Sequence, residues 1–149
     1  MEKIIKKLKP YTSIRLVGSN AREEENPSDI DFVTIMPTRE LERTLQANFG
    51  DIQLLKRGSI FRQYSVNNIK VDFWKTTRHR FDYVTTYRTL PKHYLIYIKK
   101  LAREHKQKIT SRGMYNLKTN GVELDWKKIM RLLWITSPNI ISYLKPKTK

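Results

Sequence analysis

The sequence predicts an α/β (α+β) protein, with a mixed, mostly antiparallel sheet in its first half and a small basic α+β lobe in its second. Short runs dense in apolar residues alternate with two amphipathic segments up to about residue 74, the texture of strands interleaved with helices. Asn67-Asn68, a pair tolerant of positive φ, separates two strand-like runs and marks a hairpin. Cutting the chain after Thr86 leaves 15 basic against 11 acidic residues before the cut, a net +4, and 15 against 3 after it, a net +12. The domain reading follows that shift: one domain over 1–86 and a basic lobe over 87–149. A length of 149 residues suits such a pair of small lobes.

The elements follow in order. Ile4, Ile5 and Leu8 give residues 2–9 one apolar face before Pro10, which predicts a short helix. Residues 13–17 read as a strand stopping at Gly18-Ser19, and Asn20-Ala21-Arg22 with the acids after it reads as one or two helical turns capped by Ser19. Ile30, Phe32, Val33 and Ile35 make 29–36 a strand too apolar for an exposed edge. After Thr38, Leu41, Leu45 and Phe49 recur at four-residue spacing and Gly50 ends that helix. Residues 52–55, 59–66 and 69–74 are three further strands, the last two forming the hairpin. Leu95, Ile98, Leu101 and Ala102 among Lys and Arg make 92–106 a basic amphipathic helix. Strand-like pieces within 109–117, a turn at Thr119-Asn120-Gly121, a helix over about 126–134 and a lysine-rich tail complete the chain.

Composition narrows the chemistry. With 39% hydrophobic residues the chain buries a real core, and with no cysteine it has no disulfide, thiolate nucleophile or Cys-type zinc site. A net charge of +16 makes a polyanion the first expected partner. The opening residues lack the apolar stretch of a signal peptide and no later run approaches a membrane span, so the expectation is a soluble, intracellular monomer with no membrane partner.

The sharpest constellation is Gly18-Ser19-Asn20-Ala21-Arg22 followed by Asp29-Ile30-Asp31. Residues two apart on a strand share a face, so Asp29 and Asp31 present paired carboxylates while Ile30 turns to the core. Such a pair repels itself and becomes favourable around a divalent cation. Asp72, inside the apolar run Val71-Asp72-Phe73-Trp74, would be costly as an unpaired charge, and beside the other two it completes a set of hard oxygen ligands for Mg²⁺. Two such ions about 3.5–4 Å apart suit a phosphoryl displacement, with Asp72 as candidate general base. Gly18 and Ser19 let backbone N–H groups approach a phosphate, and Arg22 adds a charged fork. Gly-Ser alone is an ordinary helix start and an Asp-x-Asp pair is common, whereas their combination is specific.

With those motifs the chain resembles the nucleotidyltransferase superfamily, whose pattern is a Gly-Ser, a short helix, Asp-x-Asp on the next strand and a third acid on a later one. Tyr87-Arg88-Thr89-Leu90, fifteen residues after Asp72, is similar to the Tyr-Phe-Thr-Gly segment at that distance in DNA polymerase β-like enzymes. An ungapped register continues through residues 99–109. The chain most resembles the reduced family X polymerases encoded by large DNA viruses, over about residues 12–125, and has no stretch matching their larger relatives' lyase domain or helix-hairpin-helix region.

That resemblance implies a nucleotidyltransferase palm with Asp29, Asp31 and Asp72 as metal ligands for two Mg²⁺, replaceable by Mn²⁺. It implies that Gly18, Ser19 and Arg22 bind the triphosphate, that Tyr87, Arg88 and Thr89 flank the sugar, and that Lys70, Lys99, Lys100 and Arg103 contact DNA. The implied reaction is templated addition of a deoxynucleotide from a dNTP to the 3′-hydroxyl of gapped or primer-template DNA, in short-gap repair. Two alternatives stand beside it: a template-independent or protein-modifying nucleotidyltransferase, and a non-catalytic DNA-binding protein of the same fold. The sequence departs from the family pattern with Arg88 for phenylalanine, Leu90 for glycine, Ser28 for glycine and Lys99 for arginine, while Pro91 would allow a cis peptide after Leu90.

Elsewhere the plain readings prevail. His79, His93 and His105 have no ligand spacing and read as surface residues, and Glu23-Glu24-Glu25 as a solvated face. Trp74, Trp126 and Trp134 read as core, Tyr94 and Tyr97 as either packing or base-stacking residues, and Lys145, Lys147 and Lys149 as nonspecific phosphate contacts.

Overall fold

The computed structural model describes residues 1–22, 29–117 and 122–123. The chain divides into two units, one ending at Phe81 and the other beginning at Asp82. The shift in charge after Thr86 falls within the helix Phe81–Thr89.

The first unit contains helix α1 (Glu2–Leu8), strand β1 (Ile14–Val17), the one-turn helix α2 (Gly18–Ala21), β2 (Ile30–Thr34), helix α3 (Thr38–Phe49), and strands β3 (Ile52–Arg57), β4 (Phe61–Val66) and β5 (Ile69–Lys75). The five strands form one sheet in the order β1-β2-β5-β4-β3. Only β2 and β5 run parallel; β1 with β2, β4 with β5 and β3 with β4 are antiparallel. The fold is therefore α/β with a mixed, mostly antiparallel sheet flanked by helices.

One face of that sheet carries the core. Ile30 and Phe32 of β2, Val71 and Phe73 of β5, and Tyr64 and Val66 of β4 meet Ile4 and Leu8 of α1 and Leu41 and Leu45 of α3. Phe32 and Phe73 are register partners whose rings stack at 5.4 Å between centroids, and the Tyr64 ring meets Phe73 edge-on at 5.9 Å. The β4–β5 hairpin turns on Asn67 and Asn68, which take φ of 50° and 64° and so supply the two positive values that a type I′ turn needs. Ser19 lies inside α2 and not at its cap; Val17 holds the cap position in extended geometry.

The second unit contains most of helix α4 (Phe81–Thr89), helix α5 (Lys92–Glu104) and a separate antiparallel sheet of β6 (Gln107–Ile109), β7 (Met114–Asn116) and β8 (Val122–Glu123), in that order. Helix α4 has no counterpart in the sequence reading, because the β-branched run Val84-Thr85-Thr86 argues against a helix. Its residues Phe81, Tyr83 and Val84 are nevertheless buried. Ile98 and Ala102 of α5, with Ile109 and Met114, are buried in this unit. The described residues contain no cis peptide bond, so Pro91 enters α5 in extended, trans geometry. No described helix is long and apolar enough to cross a membrane. The turn at Thr119-Asn120-Gly121, the helix at 126–134, the lysine tail, Glu23-Glu24-Glu25, Ser28, Trp126 and Trp134 lie outside the described residues.

Candidate active site

The sheet register that stacks Phe32 on Phe73 also pairs the acids. Asp31 and Asp72 each precede one of those phenylalanines, so they are register partners on the two parallel strands and project from the opposite face. A one-residue slip of either strand would turn its carboxylate into the apolar core, so the aromatic packing fixes the acidic pair as firmly as it fixes the core. The same row extends to Val17 of β1 on one side and to Gln63 and Lys56 on the other.

The two carboxylates are within hydrogen-bonding reach, and the Asp72 charge acts on Asp31. Burial pushes the Asp31 carboxyl up from 3.8 to about 6, and the Asp72 charge adds to the rise. A hydrogen bond from the Trp74 side chain opposes it, while the hydrogen bond to Asp72 and the charge of Asp29 contribute smaller increases. Asp72 in turn accepts a hydrogen bond from Gln63 Nε2 at 2.8 Å, and Gln63 is buried.

Gly18 closes the other side. Its φ is +71°, and a Cβ built there would lie 2.8 Å from Asp31 Oδ2. Only glycine therefore suits both the turn and the close approach to the carboxylate. The Arg22 N–H bonds the Gly18 carbonyl at 3.2 Å, and Asn20 Nδ2 donates to the Asp29 carbonyl at 2.7 Å, tying the chain entering β2 back to the turn.

The structure thus brings together Gly18, Asp31 and Asp72, with Asp29 held just ahead of β2 by Asn20. Ser19 and Arg22 lie in and directly after α2, and Lys70 is exposed on β5, two residues from Asp72. Among the described residues no group of three or more His, Asp or Glu side chains is close enough to hold a metal ion. The donor set itself, two carboxylates in hydrogen-bonding reach with a third acid alongside, has the hard-oxygen chemistry that a divalent cation takes.

The remaining expected residues belong to the second unit. Tyr87, Arg88 and Thr89 form the last turn of α4, where Thr89 Oγ1 donates back to the Thr85 carbonyl at 2.7 Å. Lys99, Lys100 and Arg103 are exposed on α5, and Lys99 Nζ stands 5.4 Å from the centre of the Tyr87 ring, a cation–π contact. His79, His93 and His105 are exposed, as is Tyr97, while Tyr94 is half-buried and its ring lies 4.5 Å from that of His93.

Three residues of the site are given no site role in the sequence reading. Asn20 looks like a helix residue and Gln63 like an ordinary strand residue. Trp74, read as core, is half-buried on the acidic face, where Phe61 packs against it at 4.5 Å between ring centres. The parity of Asp72 and Trp74 on one strand is the available signal for the tryptophan. Gln63 can be found only from the register of β4 on β5.

No curated relative matches the chain at a significant level. A family model described as a nucleotidyltransferase domain matches residues 1–141.

Proposed function

The chain belongs to the nucleotidyltransferase domain family, and from that premise we propose that it transfers a nucleotidyl group from a nucleoside triphosphate to an acceptor hydroxyl, releasing pyrophosphate. The observation that carries this reading is the in-register pair Asp31 and Asp72 beside the glycine turn. In this reading Asp29, Asp31 and Asp72 hold Mg²⁺, as two ions, with Mn²⁺ able to substitute. Bound there, the cations supply a lowered pKa for the acceptor hydroxyl and neutralise charge on the departing pyrophosphate. Asp72 takes the acceptor's proton. The acceptor oxygen bonds to the α-phosphorus as the bond from that phosphorus to the bridging oxygen breaks, and pyrophosphate leaves with the electron pair. Gly18, through its backbone N–H, Ser19 through its hydroxyl and Arg22 through its guanidinium hold the β- and γ-phosphates.

The acids and the family speak for nucleotidyl transfer in general, and the charge of the second half turns the reading toward nucleic acid. With 15 basic residues against 3 acidic after Thr86, and Lys99, Lys100 and Arg103 exposed on α5, that half is suited to a phosphate backbone. We therefore take the 3′-hydroxyl of gapped or primer-template DNA as the acceptor and a dNTP as donor, with Tyr87, Arg88 and Thr89 against the sugar and Lys70 toward the DNA. This is the activity implied by the resemblance to family X polymerases. Template-independent transfer, or transfer to a protein hydroxyl, uses the same acids and is the rival reading.

One experiment separates them. The full chain with Mg²⁺ is given each labelled dNTP separately on a one-nucleotide gap with each of the four template bases, beside single-stranded DNA and a protein acceptor. Incorporation that follows the template base supports the polymerase reading, whereas indifference to it, or labelled protein, establishes the rival. No transfer to any acceptor, or transfer undiminished in Asp72→Ala, overturns nucleotidyl transfer altogether.

A further inference from the structure

Gln63 is only 8% exposed, and a buried amide is costly unless its hydrogen-bonding groups find partners. Its Nε2 donates to Asp72 Oδ1 at 2.8 Å, from the adjacent strand and in direct register. On the far side of Asp72, Asp31 receives a hydrogen bond from the side chain of Trp74. Each acid of the pair therefore has an uncharged donor beside it.

The neutrality of those donors is informative in a chain with 30 lysines and arginines. If the pair served only the fold, a lysine or arginine beside it would cancel the repulsion and satisfy the lone pairs together. Such a residue would also occupy the carboxylates and compete with any cation from solution. An amide or indole N–H takes one lone pair and restrains rotation of the carboxyl group, yet leaves its full negative charge for another ligand. The strongest influences on Asp31 are burial, Asp72, Trp74 and Asp29, and none is a cation.

We propose that Gln63 is a positioning residue that fixes the Asp72 carboxylate for a divalent cation, as Trp74 does for Asp31. This rests on the reading of the pair as the cation site of a nucleotidyltransferase. Partners behind the ligands of a metal commonly contribute about 10–100-fold to its affinity.

The test is a titration of the full-length protein with Mn²⁺, free ion being followed by its electron paramagnetic resonance signal. Gln63→Met keeps the length of the side chain and removes the donor. It should bind Mn²⁺ about 10–100-fold more weakly than wild type, with kcat reduced and KM for the nucleotide unchanged. Wild-type Mn²⁺ affinity in Gln63→Met overturns the positioning role. Asp31→Asn and Asp72→Asn separate that failure from failure of the site. If both lose Mn²⁺ binding while Gln63→Met keeps it, only the role of Gln63 falls; if neither loses it, or wild type binds none, the cation site and the proposal fall together. A measurement without substitution guards against an unfolded variant. The side-chain NH₂ resonances of Gln63 in wild type should be protected from solvent exchange and shift when Mg²⁺ is added; free exchange and no shift would overturn the proposal.

Discussion

Replacing Asp31 by asparagine should stabilise the protein in the absence of divalent cations. The Asp31 carboxyl is raised from 3.8 to about 6, by burial first and the Asp72 charge second. Between about pH 4 and pH 6 the folded state therefore keeps a proton that the unfolded chain has released. Stability falls as pH rises through that window and stays low above it, because the folded state must then ionise Asp31 beside Asp72. A shift of about two units corresponds to about 3 kcal/mol at 1.36 kcal/mol per unit. Asp31 is only half-buried, so solvent screening reduces this to about 1–1.5 kcal/mol. For a chain of this size that is about 2–6 °C in Tm. Thermal unfolding in EDTA, followed by circular dichroism from pH 3.5 to 7.5, should show Asp31→Asn and wild type coinciding at the acid end. The variant should be the more stable by that margin above pH 6. Adding Mg²⁺ at pH 7.5 should raise the wild-type Tm and leave that of the variant in place. An Asp31→Asn protein less stable than wild type at pH 7.5 in EDTA would refute the claim that repulsion in the pair costs the fold stability. A difference independent of pH would refute its electrostatic origin.

Gly18→Ala should lose about 1–3 kcal/mol through its positive φ alone, and the new Cβ would displace the Asp31 carboxylate 2.8 Å away; urea unfolding and nucleotidyl transfer should both decline, and an active, stable variant would contradict the close approach. Phe73→Ala should cost about 3–5 kcal/mol by removing the ring stacked on Phe32 and met by Tyr64, measured as a lower urea midpoint, and what folded protein remains should transfer poorly because the same register pairs the acids. The combined change of Lys99, Lys100 and Arg103 to alanine should weaken DNA binding and flatten its salt dependence, by up to about 0.9 in the logarithmic slope for each phosphate that is no longer neutralised, in a fluorescence anisotropy titration at several salt concentrations. An unchanged slope would remove α5 from the DNA-contacting surface.

What can be read from the sequence follows from local rules. Alternation in the apolar run places β2 and its Asp31, the Asn67-Asn68 pair sets a hairpin, and four-residue spacing finds α3, whereas Asp29 lies just ahead of the strand that the sequence reading gave it. What cannot be read depends on pairing between segments far apart in sequence. Nothing local says that β2 runs parallel to β5 with Asp31 opposite Asp72, or that Gln63 falls third in that row. Trp74 is misread because tryptophan in an apolar strand is usually core, although its parity with Asp72 already assigns it to the acidic face. Helix α4 escapes notice because its β-branched run disfavours a helix, and burial of Phe81, Tyr83 and Val84 overrides that propensity. Ser19 reads as a cap because serine favours that place, whereas the positive φ of Gly18 starts the turn one residue earlier.

The charge of +16 acquires a more specific meaning beside this geometry. A chain so rich in cations could readily neutralise a pair of acids set this close from within. Among the described residues the sheet instead sets Asp31 against Asp72, raises the Asp31 carboxyl, and places Gln63, Trp74 and the bare backbone of Gly18 beside the pair. Each of these choices costs stability or forgoes it: a buried amide, a positive φ, a repulsive contact. They share one physical result, a concentrated and oriented negative charge at the surface of a basic protein. That charge would attract a divalent cation and repel phosphates until a cation reverses its sign. A triphosphate and a nucleic-acid end, both polyanions, could then approach the same acids from which they would otherwise be repelled.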